Sequence, residues 1–284
     1  MTRGDGVRAQ PGTLGIWAHA EKLSPELARQ LEQLGYGAVW IGGSPSGDLA
    51  IVDELLDATE QLVVATGIVN IWKDPARTVA ASHHRITRRF PRRFVLGVGV
   101  GHPEATSDYQ HPYTALVEYL DVLDAEGIPM DERVLAALGP KVLRLAADRT
   151  GGAHPYLTTP EHTRQARQLL GGKAFLAPEQ KVVLEADSEK ARSIGRPYVA
   201  KPYLGLRNYL ANLRRLGWSD DDFADGGSDA LIDALVAHGA AATAAARVRE
   251  HLDAGADHVA IQLLAEPGAD PLTGYRRFAQ AFFG

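Results

Sequence analysis

The sequence alternates short apolar runs with longer amphipathic stretches along its whole length. The apolar runs have the length of buried β-strands, and the stretches between them have the length of helices. Eight runs qualify as strands, and they cover residues 14–18, 38–41, 62–68, 94–98, 134–138, 153–157, 182–186 and 258–263. Strands that alternate with helices are typical of a parallel α/β sheet, and eight such units predict a (β/α)8 TIM barrel.

Signals at the ends of the predicted helices agree with this alternation. Ser24, Asp74 and Thr159 each precede a proline, and a capping oxygen before a proline is typical of a helix start. Gly35 and Gly255 follow helical stretches, as C-terminal caps do. About 70 residues separate the seventh strand from the eighth, which is more than one helix needs and predicts a helical insertion.

Length, composition and charge narrow the class of protein. The chain has 284 residues without a low-complexity linker, which predicts one domain over residues 13–284 after a flexible N-terminus over residues 1–12. A net charge of −5 gives no positive field for nucleic acid or an anionic membrane, and no apolar run spans a bilayer. The chain has no cysteine, so disulfides and thiolate chemistry are excluded. We expect a cytoplasmic protein with a small-molecule ligand.

The residues directly after each predicted strand are the candidate functional residues, because barrels of this kind carry their sites at the carboxyl ends of the strands. Histidines, aromatic residues and glycines recur there. They include Trp17, His19, Gly43, Ser44, Asn70, Trp72, Gly101, His102, His154 and Tyr156. His102 and His154 are candidate catalytic residues, since an imidazole can carry the proton that accompanies a hydride transfer.

The turn Gly139–Pro140–Lys141 after the fifth strand is a further candidate. It leads into a predicted helix, whose free N–H groups attract anions, so both a phosphate site and a simple sharp turn would explain it. Other motifs are absent. The glycines of residues 97–101 are spaced G-x-G-x-G and do not match the dinucleotide-binding fingerprint, and no metal-binding or nucleophile-elbow motif occurs. We therefore expect no metal site.

Five strand-end segments together resemble one known family. They are GYGAVWIGG at 35–43, ATGIVNIW at 65–72, LGVGVG at 96–101, LGPK at 138–141 and GAHPY at 152–156. In these segments the chain is similar to the luciferase-like flavin and deazaflavin oxidoreductases, within them to the actinobacterial branch that uses coenzyme F420. The resemblance covers nearly the whole chain, and it implies a barrel with the cofactor across the strand ends.

The resemblance also implies roles for individual residues. A non-proline cis peptide is implied between Gly67 and Ile68, under the cofactor ring. His102 matches another cofactor-facing position. The implied cofactor-binding residues are Gly67, Ile68, Asn70, Val100, Gly101, Gly139, Pro140 and Lys141. The substrate side would be lined by Trp17, His19, Ser44, Trp72 and Tyr156.

The function that the resemblance implies is hydride transfer between coenzyme F420 and a small organic substrate, apolar or planar because aromatic residues surround the site. Sugar phosphates are not expected. The dehydrogenases of the family that use them carry an Asp-His pair and a Glu where this chain has Gly43, Ser44 and His102. An FMN-dependent monooxygenase that uses oxygen and a partner reductase is one alternative, and a non-catalytic flavin- or deazaflavin-binding protein is another. A homodimer is also implied.

Overall fold

The computed structural model describes residues 7–101 and 111–284. The strands in these ranges are β1 (Leu14–His19), β2 (Ala38–Gly42), β3 (Val63–Thr66), β4 (Val69–Asn70), β5 (Phe94–Gly99), β6 (Arg133–Leu135), β7 (Gly152–Ala153), β8 (Phe175–Leu176), β9 (Glu179–Val183), β10 (Val236–His238) and β11 (Val259–Leu264). Every pairing among them is parallel. A parallel ladder follows from the helices that return the chain between consecutive strands.

The sheet curls into a closed ring. From β1 it runs through β2, β3, β5, β6 and β7 to β8 in one direction, and through β11 to β9 in the other. Residues 175–183, which contain β8 and β9, join the two ends. The amides of Phe175 and Ala177 donate to carbonyls of residues 151–153, and the carbonyls of Leu176 and Pro178 accept from amides of residues 257–260. The predicted (β/α)8 barrel is confirmed.

Helices alternate with the strands along the chain, and most of them pack around the outside of the ring. They are α1 (Pro25–Gln33), α2 (Ala50–Asp57), α3 (Ala76–Arg89), α4 (Pro112–Ala125), α5 (Pro140–Arg149), α6 (Pro160–Leu170), α7 (Ser188–Ala200), α8 (Arg207–Arg215), α9 (Asp229–Leu235), α10 (Ala241–Asp253) and α11 (Pro271–Phe283). Ser24 and Thr159 cap α1 and α6 as predicted. Asp74 does not cap α3, because its carboxylate accepts from the amide of Gly47. In the described ranges, no helix is both long and apolar enough to cross a membrane.

The predicted helical insertion lies between β9 and β11. It contains α7, α8 and α9, together with the short strand β10, which pairs with β9 and was not expected from the sequence. A hydrophobic cluster that includes Leu206, Leu213, Leu231 and Val236 packs this part of the chain together. The insertion thereby brings a 3-10 turn, Tyr203–Gly205, and α8 next to the carboxyl ends of the barrel strands.

The seventh barrel strand is the one that the sequence located least well. The apolar run predicted a strand at 182–186, whereas the chain pairs at Phe175–Leu176 and Glu179–Val183. The cause is that Glu179, Gln180 and Lys181 are polar and yet almost fully buried. Their polar groups find partners inside the barrel, so an apolar run is not required there.

The base of the barrel is covered by the start of the described chain. Ala9 is buried, the Arg8 amide donates to the Asp131 carbonyl at 2.7 Å, and His258 Nδ1 donates to the Gly12 carbonyl at 2.9 Å. The predicted boundary between a flexible N-terminus and a domain over residues 13–284 stays a prediction. These contacts leave the opposite, carboxyl-terminal end of the barrel as the open one.

Candidate active site

A cavity of about 320 Å³ opens at the carboxyl ends of the strands, and we call it the central cavity. Its lining combines residues that follow β1 to β7 with residues of the insertion. The lining residues are Trp17, His19, Gly43, Ser44, Gly67, Ile68, Asn70, Val100, Gly101, Ala136, Ala137, Leu138, His154, Tyr156, Tyr203, Asn208 and Tyr209. The structure thus brings together most of the predicted cofactor-binding and substrate-side residues, from positions up to 139 residues apart.

The backbone at Gly67 and Ile68 lies directly against two aromatic rings. The peptide between these residues is cis, the geometry that the resemblance implied. Trp17 Nε1 donates to the Gly67 carbonyl at 3.1 Å. A Cβ atom on Gly67 would lie 2.8 Å from Trp17 Nε1 and 3.0 Å from His154 Nε2. Only glycine fits at this position without a shift of its neighbours.

Asn70 and Gly101 form the adjoining part of the lining. The Asn70 side-chain oxygen accepts from the Trp72 amide at 3.0 Å. Gly101 has a φ of 60°, and a Cβ atom there would lie 2.5 Å from Asn70 Nδ2. Trp72 itself is half-buried and is not among the described residues that line the central cavity. His102, the other predicted catalytic histidine, lies outside the described residues.

His154 lines the central cavity, and its ring is held by a stacking contact and a hydrogen bond. The ring stacks on Trp40 with centroids 4.1 Å apart, and Nδ1 donates to the Ala177 carbonyl at 2.6 Å. Burial lowers the pKa of His154 to about 4, so the ring is neutral at neutral pH. Its buried Nε2 has no hydrogen-bond partner in the part of the chain that the structure describes. His154 can therefore accept a proton or a hydrogen bond, but it has no proton to give into the cavity.

A buried polar cluster that the sequence analysis missed holds Tyr156 in place. Lys181 Nζ lies 2.9 Å from the Tyr156 hydroxyl, 2.9 Å from Gln262 Oε1 and 3.2 Å from Glu179 Oε1. The Tyr156 hydroxyl donates to Gln262 Oε1 at 2.8 Å. Burial lowers the pKa of Lys181 and raises the pKa of Glu179, and the charge of each partner opposes the other's shift. The polar run at 179–181, directly before an apolar one, is the signal that could have revealed this cluster.

The insertion contributes aromatic side chains that no strand-end rule could find. The Tyr203 ring lies 5.3 Å from the Tyr156 ring and 4.9 Å from the Tyr209 ring, measured between centroids. On the other side of Tyr156, the Trp17 ring follows at 5.1 Å. This aromatic row forms an apolar wall of the central cavity.

The turn Gly139–Pro140–Lys141 lies beside the central cavity, just after the lining residue Leu138, and does not line it. Gly139 is the N-cap of α5, and Lys141 is exposed with Nζ 3.7 Å from the centroid of the Tyr113 ring. Arg215 of α8 approaches the same turn, since its Nη2 would lie 3.6 Å from a Cβ atom on Gly139. A helix N-terminus beside two cationic side chains can hold an anion such as a phosphate. The sequence analysis missed Arg215.

A second cavity of about 500 Å³ lies on the other side of Trp17 and His19, and we call it the side cavity. Both of these residues also line the central cavity. Its remaining lining is mainly apolar and comes from α1, α7, β11, the loop after β11 and α11. It includes Leu27, Tyr198, Leu263, Pro267, Pro271 and Tyr275. The two cavities thus share the side chains of Trp17 and His19 at the end of β1.

Comparisons with known proteins agree with this geometry. Residues 18–126 match the family model described as luciferase-like monooxygenase. No curated protein sequence matches the chain significantly.

Solved structures are similar over almost the whole chain. An F420-dependent secondary alcohol dehydrogenase with an F420-acetone adduct has a TM-score of 0.74 at 15% identity, over 96% of this chain and 98% of that chain. The coenzyme F420-dependent tetrahydromethanopterin reductase from Methanopyrus kandleri has a TM-score of 0.69 at 16% identity, with the same coverage.

A structure with a different cofactor shares the fold. The oxygenating constituent of 3,6-diketocamphane monooxygenase from Pseudomonas putida, in complex with FMN, has a TM-score of 0.65 at 13% identity, over 94% of this chain and 96% of that chain. Likeness at such identities establishes the fold, and both cofactor types occur on it. The match to the luciferase-like monooxygenase model covers residues 18–126, and the barrel fold shared with the solved structures extends over nearly the whole chain.

Proposed function

We propose that the protein is an oxidoreductase that uses coenzyme F420 and transfers a hydride between this deazaflavin and a small organic substrate that is apolar or planar. The observation that carries the proposal is the central cavity, whose lining contains Gly67, Ile68, Asn70, Val100 and Gly101, the residues that the resemblance assigns to the cofactor ring. Two of the structures to which the chain is similar are F420-dependent by name and one holds FMN, so the fold accepts either cofactor, and the choice of F420 rests on the resemblance of the strand-end segments.

The residues of the site fit a planar ring with a phosphate-bearing tail. Gly67 and Gly101 leave bare backbone for close approach, and Ile68 and Val100 supply apolar surface. The N-terminus of α5, with Lys141 and Arg215 nearby, suits the phosphate. When bound, the deazaflavin supplies the hydride chemistry, and the protein supplies binding, orientation and proton transfer.

The chain's own side chains define what the substrate meets. Trp17, Tyr156 and Tyr203 form a row of rings that excludes water and favours a flat or apolar molecule. Lys181 and Gln262 fix the Tyr156 ring by binding its hydroxyl, so this wall is rigid. Ser44 adds a polar group to the lining.

The experiment is a pair of binding titrations of the purified protein, one with coenzyme F420 and one with FMN, followed by cofactor fluorescence. We expect micromolar or tighter binding of F420 and negligible binding of FMN. Arg215→Ala should weaken F420 binding through the phosphate, whereas Arg214→Ala, on the same helix, should not. A preference for FMN would contradict the proposal and favour an oxygen-using monooxygenase. Binding of neither cofactor would refute both.

A second experiment separates an enzyme from a cofactor carrier. The F420 complex is mixed without oxygen with a panel of alcohols, and the reduced complex with the matching ketones and aldehydes, while the deazaflavin absorbance is recorded. We expect at least one pair to change the redox state of the cofactor. Tight F420 binding with no reaction across the panel would favour a non-catalytic binding protein.

A further inference from the structure

His19 lies where the central cavity and the side cavity meet. It is the last residue of β1, it is half-buried, and it lines both cavities. Its ring makes an edge contact with the Trp17 ring at 5.0 Å between centroids. A Cβ atom on Gly43 would lie 2.7 Å from His19 Nδ1, so the glycine makes room for the ring. The imidazole is therefore held in place by packing.

The ring nitrogens of His19 are not used by the fold. Neither nitrogen has a hydrogen-bond partner among residues 7–101 and 111–284, and neither is a buried orphan. His154 differs, because its Nδ1 is bound to the Ala177 carbonyl and its Nε2 is buried. Tyr156 differs as well, because its hydroxyl is held by Lys181 and Gln262. Of these three groups at the central cavity, His19 is the one with both ring nitrogens unengaged, so it can accept a proton on one nitrogen and donate a proton from the other.

Burial and the charges around His19 keep its ring neutral at neutral pH. Burial lowers its pKa from the ordinary value, and Lys22 and Lys181 act in the same direction, while Glu21 opposes them. Of these charged residues, Lys181 lies on β9, whereas Glu21 and Lys22 lie on the turn after β1. At neutral pH the imidazole is therefore predominantly neutral, which is the state of a general base.

We propose that His19 is the catalytic base for oxidation of an alcohol at the junction of the two cavities. The inference rests on the proposed function and adds a residue and a substrate class to it. As the hydride leaves the carbinol carbon for oxidised coenzyme F420, the hydroxyl proton passes to a ring nitrogen of His19 and the oxygen's electron pair forms the carbonyl bond. In the reverse direction, protonated His19 returns the proton to the oxygen while the carbonyl carbon receives the hydride.

The test compares His19→Gln with His84→Gln, an exposed histidine of α3, in the F420 complex with cyclohexanol as the probe. We expect both variants to bind F420 as the parent protein does. Single-turnover reduction of F420 should fall about 100-fold or more in His19→Gln and stay unchanged in His84→Gln. The fall of the parent's rate on acidification should disappear in His19→Gln, and added imidazole should restore turnover in His19→Ala.

Nuclear magnetic resonance gives a readout that does not depend on turnover. Cyclohexanol should shift the His19 ring signals of the F420 complex and leave those of His84 in place. Unchanged turnover in His19→Gln, or neither a reaction nor a His19 shift with F420 bound, would overturn the inference. Failure of F420 to bind the parent protein would instead overturn the proposed function.

Discussion

Gly67 is the position where we expect a single added methyl group to disturb the packing of the site most. Its Cβ would lie 2.8 Å from Trp17 Nε1 and 3.0 Å from His154 Nε2, and both rings are packed and cannot retreat freely. Gly67→Ala should weaken cofactor binding by about 10- to 100-fold, since overpacking costs about 1–3 kcal/mol. Gly205→Ala is the matched control, because a Cβ there meets nothing within 4 Å. Fluorescence titration measures both, and equal affinities would contradict the packing argument.

How far single residues could be predicted depended on their position in a strand. Trp17, His19 and Asn70 were found because each ends a recognisable apolar run and such ends meet at one face of a barrel. Arg215 and Tyr203 were missed because they belong to the insertion, whose return over the strand ends depends on tertiary packing. No local pattern carries that information.

At the scale of elements, β9 shows where pattern analysis fails. The expected alternation assumes that buried positions are apolar, whereas this strand places Glu179 and Lys181 inside the barrel as a pair. Their exposed fractions are 0% and 1%, so water does not solvate either charge. The predicted position of this strand was therefore displaced toward the apolar residues that follow Lys181. The other barrel strands are mainly apolar, and their predicted positions were correct to within a few residues.

The Lys181–Glu179 pair gives a prediction at this scale. Lys181→Met should lower the free energy of unfolding by about 3–5 kcal/mol, because it leaves a buried carboxylate without its cation. The double variant Lys181→Met with Glu179→Gln should recover most of that loss, since the amide oxygen can still accept from the Leu157 amide. Urea denaturation of the three proteins measures the coupling. Additive losses in the double variant would show that the two charges do not depend on each other.

At the scale of the whole molecule, the fold encloses several histidines in their neutral form. Burial lowers the pKa of His83, His154 and His258 to about 4 each, and that of His251 to about 3, from an ordinary value of 6.5. Between pH 6.5 and 4 the unfolded chain therefore binds protons that the folded chain does not. Stability is retained above pH 6.5 and is lost as the pH falls through this window.

The magnitude of this loss should make the protein sensitive to mild acid. Each histidine contributes up to about 1.4 kcal/mol per pH unit, so four of them give a slope of about 5 kcal/mol per unit near pH 5. That slope is comparable within two pH units to the whole stability of an average domain, about 5–15 kcal/mol. Urea denaturation at pH 7.5, 6 and 5 should show it. His83→Gln should reduce the slope by about a quarter, because it removes one of the four titrating histidines, and within the described residues no hydrogen bond is lost with either ring nitrogen of His83. His84→Gln, its exposed neighbour on α3, is the comparison, and a slope that His83→Gln leaves unchanged would show that the buried histidines do not govern the acid response.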